Sequence, residues 1–217
     1  MRLASLIRAI RVHRQGGKPG DMAILKCDAF GLRGTKATEA GLGAVRGYAP
    51  PIDMDMLRAL PDGTLGREYV RLLEDQGYTP LTVSEAIEPE ILARNTFSYR
   101  LVITHDMIHV LTGFDTSRAG ELGVLAFTAA QGYTRMQRYV TLPLAVLVYP
   151  LMAPRQIRSI VRCLVQGWRM GKRARLVIGQ RLEDRFARPI PELRAELAIA
   201  LPSQRTGAGY LPRPASA

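Results

Sequence analysis

The sequence predicts an all-α fold: one mostly helical, bundle-like domain with a glycine-rich, irregular N-terminal region. Three observations carry that expectation. Apolar residues recur at helical spacing in several segments, among them Leu65, Tyr69, Leu72 and Leu73. Start and stop signals of the right kind bracket those segments, with Pro or a small polar residue before and glycine after. No alternating run exceeds about four residues, the shortest over which a period of two carries meaning. The 217 residues suffice for one substantial domain.

The elements follow in order. In the N-terminal MRLASLIRAIRVHR, Arg2, Arg8, Arg11 and Arg14 interrupt the apolar residues. No uninterrupted secretory core remains, so an amphipathic first helix is expected, with an acid-free organelle transit segment as the alternative. Gln15 to Pro51 carries eight glycines and reads as loops with room for one short helix. The family of elements over 52–201 forms the expected helical core. Pro61-Asp62-Gly63 makes a turn, Thr64 is a candidate N-cap, and the helix it opens stops at Gly77. A short helix is expected over Pro89 to Arg94, then one from about Tyr99 to Leu111 that Gly113 ends. Gly120 to Tyr139, with alanines and few breakers, should form the next.

Tyr139 to Pro154 is uncharged and the most apolar segment of the chain. Its sixteen residues fall short of the roughly 20 needed to span a bilayer, and Pro143, Pro150 and Pro154 interrupt it. It is either a buried connection between core helices or a lipid-facing or tunnel-lining segment. Arg155 to Arg175 follows with seven basic residues and no acidic one. Arg155, Arg158, Arg162, Arg169 and Lys172 lie at helical spacing beside Ile157, Ile160, Val161, Leu164, Val165 and Trp168, a basic amphipathic helix. It is either a solvated face on a core helix or an attraction to anionic headgroups, at about 1 kcal/mol per basic residue. Residues 202–217 are expected to be a flexible tail.

Thirty Lys and Arg against 19 Asp and Glu give a formal net charge of +11, which favours an anionic partner. Nucleic acid is disfavoured, since aromatic residues are few and no helix-turn-helix or zinc-finger pattern occurs. Cys27 and Cys163 lie far apart with no cysteine near either, so neither a cysteine metal site nor a disulfide framework is expected.

Two of the three histidines fall within five residues, in THDMIHVLTGFDTSRAGELG. On one helix His105 and His109 lie one turn apart on one face, the spacing by which two imidazoles hold one metal ion. Asp106 lies about 100° round the helix, placed to ligate or to orient a histidine. Glu121, after the Gly113 to Gly120 connection, can fold back as a carboxylate ligand. Nitrogen and oxygen donors suit zinc, iron or manganese. The bland alternative is a pair of capping or core histidines. A ferritin-like di-iron site is disfavoured because only one carboxylate-x-x-His half, Asp106 to His109, is present.

The pattern H-D-x-x-H, eleven residues, E resembles the signature of the coenzyme Q biosynthesis protein 4 family. Leu60-Pro61-Asp62-Gly63-Thr64-Leu65-Gly66-x-x-Tyr69 resembles that family's upstream helix, and Gly167 to Ile199, with its E-L-R-x-E-L ending, resembles its C-terminal pattern. The resemblance covers roughly Leu57 to Leu201. Where the family pattern has a Trp-Glu pair, this chain has Leu182-Glu183, and the first fifty residues match poorly.

The resemblance implies a helical protein of ubiquinone biosynthesis, peripheral to a membrane and associated with other enzymes of that pathway. It places the protein on the cytoplasmic side of the inner membrane, or the matrix side of the mitochondrial one in a eukaryote, and leaves homodimerisation open. It further implies removal or replacement of the carboxyl group on a polyprenylated hydroxybenzoate ring, with His105, Asp106, His109 and Glu121 as metal ligands and catalytic residues and zinc or iron as the cofactor. Arg100, shortly before them on the helix, is a candidate for holding the substrate carboxylate, against the alternative of an ordinary surface arginine. Two rival functions are a metallohydrolase with Asp106 as general base, and a non-catalytic lipid-binding scaffold.

Overall fold

The structure, a computed structural model, describes residues 3–14, 19–80, 82–84, 87–201 and 209–211. Among them are eleven α-helices, and the only β-type pairings are two isolated bridges. The all-α expectation holds.

Helices α1 (Leu3–Arg14) and α2 (Pro19–Phe30) pack on each other, and α2 packs against α6 (Pro89–Arg94) and α7 (Thr96–Thr112). Ile24 and Leu25 meet Ile91, Tyr99 and Ile103 there in a small second core. Asp28 pins the same junction, accepting from Ser5 Oγ at 2.5 Å, Arg94 Nε at 2.7 Å and Asn95 Nδ2 at 2.8 Å. Its bonds to Arg94 outweigh burial and hold the carboxyl far below its ordinary range. The stretch read from its glycines as loops thus holds a twelve-residue helix, because Asp21 to Phe30 contains no glycine at all. Two short helices follow, α3 (Lys36–Ala40) capped by Thr35 and α4 (Met54–Arg58) capped by Asp53.

Helix α5 (Leu65–Gln76) has the expected bounds. Thr64 occupies the cap position without capping: its hydroxyl turns back to the Pro61 carbonyl at 2.7 Å, and Glu68 receives the Gly63 N–H at 2.9 Å instead. Tyr69 stacks on Phe186, ring centres 5.7 Å apart, which joins α5 to the C-terminal part of the chain.

Helix α8 (Arg118–Ala130) is shorter than expected. The chain turns at Gly132, whose φ of 78° is one that side chains avoid, and whose carbonyl receives the hydroxyls of Thr35 and Thr38 at 2.9 and 3.0 Å. Helical structure resumes as a π-helical turn, Gln137–Thr141, that runs into α9 (Leu142–Met152). Of the two roles open to Tyr139–Pro154, the buried connection is not adopted. Leu142 and Ala145 face inward, while Leu144, Leu147 and Leu151 are exposed. No single described helix is long and apolar enough to cross a membrane.

Helix α10 (Ile157–Arg173) lies along α8, and the contact is made by small residues. A Cβ on Gly167 would collide with the Gly123 carbonyl, and one on Gly171 with that of Phe127, so the two backbones touch. The inward face of α10 is Ile160, Cys163, Gly167 and Met170, so Ile157, Val161 and Val165 are turned outward, unlike the apolar face expected. The main core joins α5, α7, α8 and α10 to the C-terminal segment through residues such as Leu65, Leu111, Phe127, Ile178 and Leu193. In α11 (Ile190–Glu196), Arg194 donates to the Val110 and Leu111 carbonyls, satisfying the open end of α7.

Of the tail, 202–208 and 212–217 lie outside the described residues. Residues 209–211 are tied down: Leu211 N–H donates to Gly113 O at 2.9 Å, and Gly209 exchanges bonds with Asp115 at 2.9 and 3.2 Å.

Candidate metal centre

Helix α7 presents His105 and His109 on one face, and everything that aims them lies in the turn that ends it. Gly113, with φ of 74°, closes the helix, its N–H bonded to the His109 carbonyl at 2.8 Å. The turn then brings the Phe114 carbonyl to 3.1 Å from His109 Nδ1. A carbonyl only accepts, so Nδ1 carries the proton and the Nε2 lone pair points away from it.

The chain re-enters helix α8 through Ser117, which caps by accepting from Gly120 N–H at 3.3 Å and is itself held by Asp115. At Gly120 a side chain would strike the Asp115 carbonyl. That close approach lets the first turn of α8 fold back over α7 and sets Glu121 against the histidines.

The three side chains converge. His105 Nε2 and His109 Nε2 stand 3.3 Å apart, Glu121 Oε1 is 3.4 Å from His109 Nε2, and Oε2 is 3.6 Å from His105 Nε2. Donors about 2.1 Å from an ion at tetrahedral angles lie ~3.4 Å from one another. The donor set and its spacing therefore fit a divalent cation. His109 is wholly buried and His105 is 42% exposed, so the cluster is closed on one side and open on the other. An open side is what separates a catalytic metal site from a structural one.

Asp106 does not contribute to the converging set. It lies close enough for its charge to act on His105 and on the Tyr69 phenol. Burial raises its own carboxyl above the ordinary range, against the pull of both histidines. Burial also opposes charge on His105 and Glu121, but the contacts among the three side chains override it: Glu121 raises His105, and His105 and His109 together lower Glu121 to about 2. As arranged, three of the four expected ligands converge, and Asp106 stands beside them as a neighbouring charge.

Arg100 is placed elsewhere. It is fully buried, donating to Glu183 at 2.5 and 3.2 Å and to the Gln180 carbonyl at 2.6 Å. Its donors are engaged by Glu183, Gln180 and Ile178 inside the protein, so it is a buried arginine and not the surface arginine of the alternative reading. Sequence reasoning missed the Phe114 carbonyl, because a backbone group has no residue-type signature. It also missed Gly209 to Leu211, which pair with residues 113–115 and steady that carbonyl, with Tyr210 packed on the Phe114 ring at 5.6 Å.

Residues 49–203 match the family model described as coenzyme Q (ubiquinone) biosynthesis protein Coq4. Similar curated proteins include the ubiquinone biosynthesis protein COQ4 homolog, mitochondrial, of Danio rerio, 39% identical over 158 residues, which are 70% of this chain and 55% of that one. The Homo sapiens homolog is 32% identical over 158 residues, 70% of this chain and 56% of its own. The Eremothecium gossypii protein is 31% identical over 196 residues, 84% of this chain and 57% of its own. This chain thus spans a little over half the length of the curated relatives it matches. A crystal structure from Nostoc punctiforme, of a protein assigned to ubiquinone biosynthesis, superposes with a TM-score of 0.61 at 24% identity, covering 91% of this chain and 96% of that one. That likeness shows the fold.

Proposed function

This chain belongs to the coenzyme Q biosynthesis protein 4 family, and from that premise we propose that it acts in ubiquinone biosynthesis as a metal-dependent lyase or oxidative decarboxylase. Its substrate would be a polyprenylated hydroxybenzoate-type ring, attacked at the carbon that bears the carboxyl group. The observation that carries the reading is the triangle of donors from His105, His109 and Glu121, open on the His105 side. Zinc or iron would be held by these three, with Asp106 adjacent. Bound there, the ion would supply Lewis-acid polarisation of the carboxylate and phenolic oxygens.

The protein's own groups divide the remaining work. The Phe114 carbonyl holds a proton on His109 Nδ1 and so aims Nε2 at the other two donors. Glu121, whose carboxyl is ionised above about pH 2, brings the compensating negative charge. Loss of CO₂ leaves an electron pair on the ring carbon, which must take up a proton, and Asp106 with its raised carboxyl is the adjacent group suited to hold one. The oxidative outcome, hydroxyl replacing carboxyl, requires dioxygen and a redox-active ion, so iron serves it and redox-silent zinc does not. A prenyl tail does not leave a bilayer easily, at about 0.8 kcal/mol for each CH₂, so the reaction belongs at a membrane surface beside the pathway's other enzymes.

The test is metal analysis of the purified protein, together with mass spectrometry of quinone intermediates in cells that lack it. Stoichiometric zinc or iron, and accumulation of a carboxylated prenyl-phenol that is relieved by wild type but not by Glu121→Ala, are expected. Full quinone output with Glu121→Ala removes the enzymatic claim and leaves a scaffold. Robust turnover of generic ester or phosphodiester substrates replaces the claim with a metallohydrolase.

A further inference from the structure

Charge in this protein is concentrated in one place. Between Glu121 and Glu183 there is no acidic residue and there are ten basic ones, so this stretch carries ten of the eleven net positive charges. The same stretch holds ten of the sixteen large apolar side chains that the described residues leave exposed.

The two features share one body. On α9, Leu144, Leu147 and Leu151 form a stripe at helical spacing, with Leu147 68% and Leu151 81% exposed. On α10, Ile157, Val161 and Val165 form another, and Arg158, Arg162 and Arg169 run beside it. The two arms, Gln137–Met152 and Pro154–Arg173, meet at a bend of 112°. Leu151, Met152 and Ile157 stand at its apex next to Arg155. Behind the apex, Trp168 lies between Arg138 and Lys172 at 5.3 and 5.8 Å, and Tyr139 faces Arg138 at 5.7 Å. Aromatic rings paired with cations at the edge of an apolar surface are characteristic of side chains that sit at the headgroup level.

We propose that this bent pair is a one-sided membrane wedge: Leu147, Leu151 and Met152 enter the acyl boundary of an anionic bilayer, and the arginines of α10 meet its lipid phosphates. Charge complementarity selects the occupant. In a two-fold pairing with a second copy, residues near the axis meet their own equivalents, and arginine would face arginine across the joint. A nucleic acid would answer the arginines and leave the leucines in water. An anionic bilayer answers both. Neither arm is by itself long and apolar enough to cross it, and the 112° bend between them turns the chain back, so the wedge enters from one side only.

The inference deepens the functional reading, resting on it only for the prenyl tail that the membrane would deliver. The α9 and α10 arms connect that surface to the donor triangle directly, since α10 lies on α8 and α8 carries Glu121.

The experiment is co-sedimentation of the full chain with vesicles of phosphatidylcholine alone, or with roughly one-third phosphatidylglycerol added. Binding to the anionic vesicles, weakened by salt and absent from the neutral ones, is expected. Leu147→Glu with Leu151→Glu should lower partitioning roughly 100-fold, with unchanged melting and zinc binding. Arg155→Glu with Arg158→Glu should remove the preference for anionic lipid. Unaltered partitioning by the leucine variant, or equal binding to both vesicle types, overturns the proposal. So does a wild-type dimer that the leucine variant dissociates without any vesicle binding, which makes the face a contact between copies. Absence of zinc binding in the wild type defeats the metal reading and leaves this one standing.

Discussion

Removing the guanidinium of Arg100 should unfold the protein far more readily than it alters any chemistry. Both members of the Arg100–Glu183 pair are out of water, their side chains 0% and 3% exposed. Arg100→Met keeps the apolar stem and leaves the Glu183 carboxylate buried without its cation, along with the Gln180 carbonyl that Arg100 also satisfied. Breaking one side of a buried pair costs about 3–5 kcal/mol. In a protein of this length each kilocalorie is worth about 2–4 °C in melting temperature, so a fall of roughly 6–20 °C is expected. Thermal melting followed by circular dichroism measures it. Arg100→Met combined with Glu183→Leu, which removes both charges, should recover most of the loss, since an apolar pair of similar volume substitutes for a buried ion pair at little cost. A single variant that melts within about 2 °C of wild type, yet has lost quinone output, refutes the reasoning and restores Arg100 as a substrate clamp.

Glu121→Ala should lower affinity for zinc by more than ~100-fold, measured against a competing chelator, because loss of a ligand exceeds the cost of losing the group behind one. Proton competition should also be visible. Glu121, lowered to about 2, stabilises the metal-free fold above the ordinary carboxylate range, and that contribution is lost as pH falls towards about 2. His105, raised, contributes fully below about 6.5, and its share is lost as pH rises through its raised value. The melting difference between wild type and Glu121→Gln, both stripped of metal, should therefore be greatest between about pH 4.5 and 6.5 and shrink on either side. Zinc affinity should fall as pH drops below the His105 value, because the ion displaces that proton. Gly167→Ala should destabilise by about 1–3 kcal/mol, read from denaturant midpoints, since its methyl group meets the Gly123 backbone and no side chain is there to yield. Tyr210→Ala should cost about 10–100-fold in zinc affinity, through the Phe114 carbonyl that it steadies, and Tyr210→Phe should restore it, because the ring and not the hydroxyl packs on Phe114.

The parts legible in the sequence are those fixed by local spacing. Helix α5 announces itself by its punctuation, and the H-D-x-x-H pattern with its later glutamate placed His105, His109 and Glu121 together because α-helical geometry and one short turn leave them few other arrangements. Asp106 shared that pattern, yet its position round the helix sets it beside the converging donors. Long-range partnerships were not legible. Arginines are usually exposed, and nothing near Arg100 in the chain discloses that its carboxylate lies eighty-three residues on. Glu183 stands out in the sequence only through the Leu182 beside it. The break after Ala130 was hidden because one glycine in an otherwise helical stretch is tolerated unless, as at Gly132, other elements hold its carbonyl. The outward turn of α9 is illegible for a related reason: apolarity tells that a segment avoids water, and only its neighbours decide what it meets instead.

The crossing of α8 and α10 at Gly123 and Gly167 has a mechanical meaning. Where side chains separate two helices, rotamer changes absorb small displacements; where peptide planes lie directly on one another, no such cushion exists. A displacement of α10 therefore meets the backbone of α8 directly, and α8 is the helix whose first turn carries Glu121.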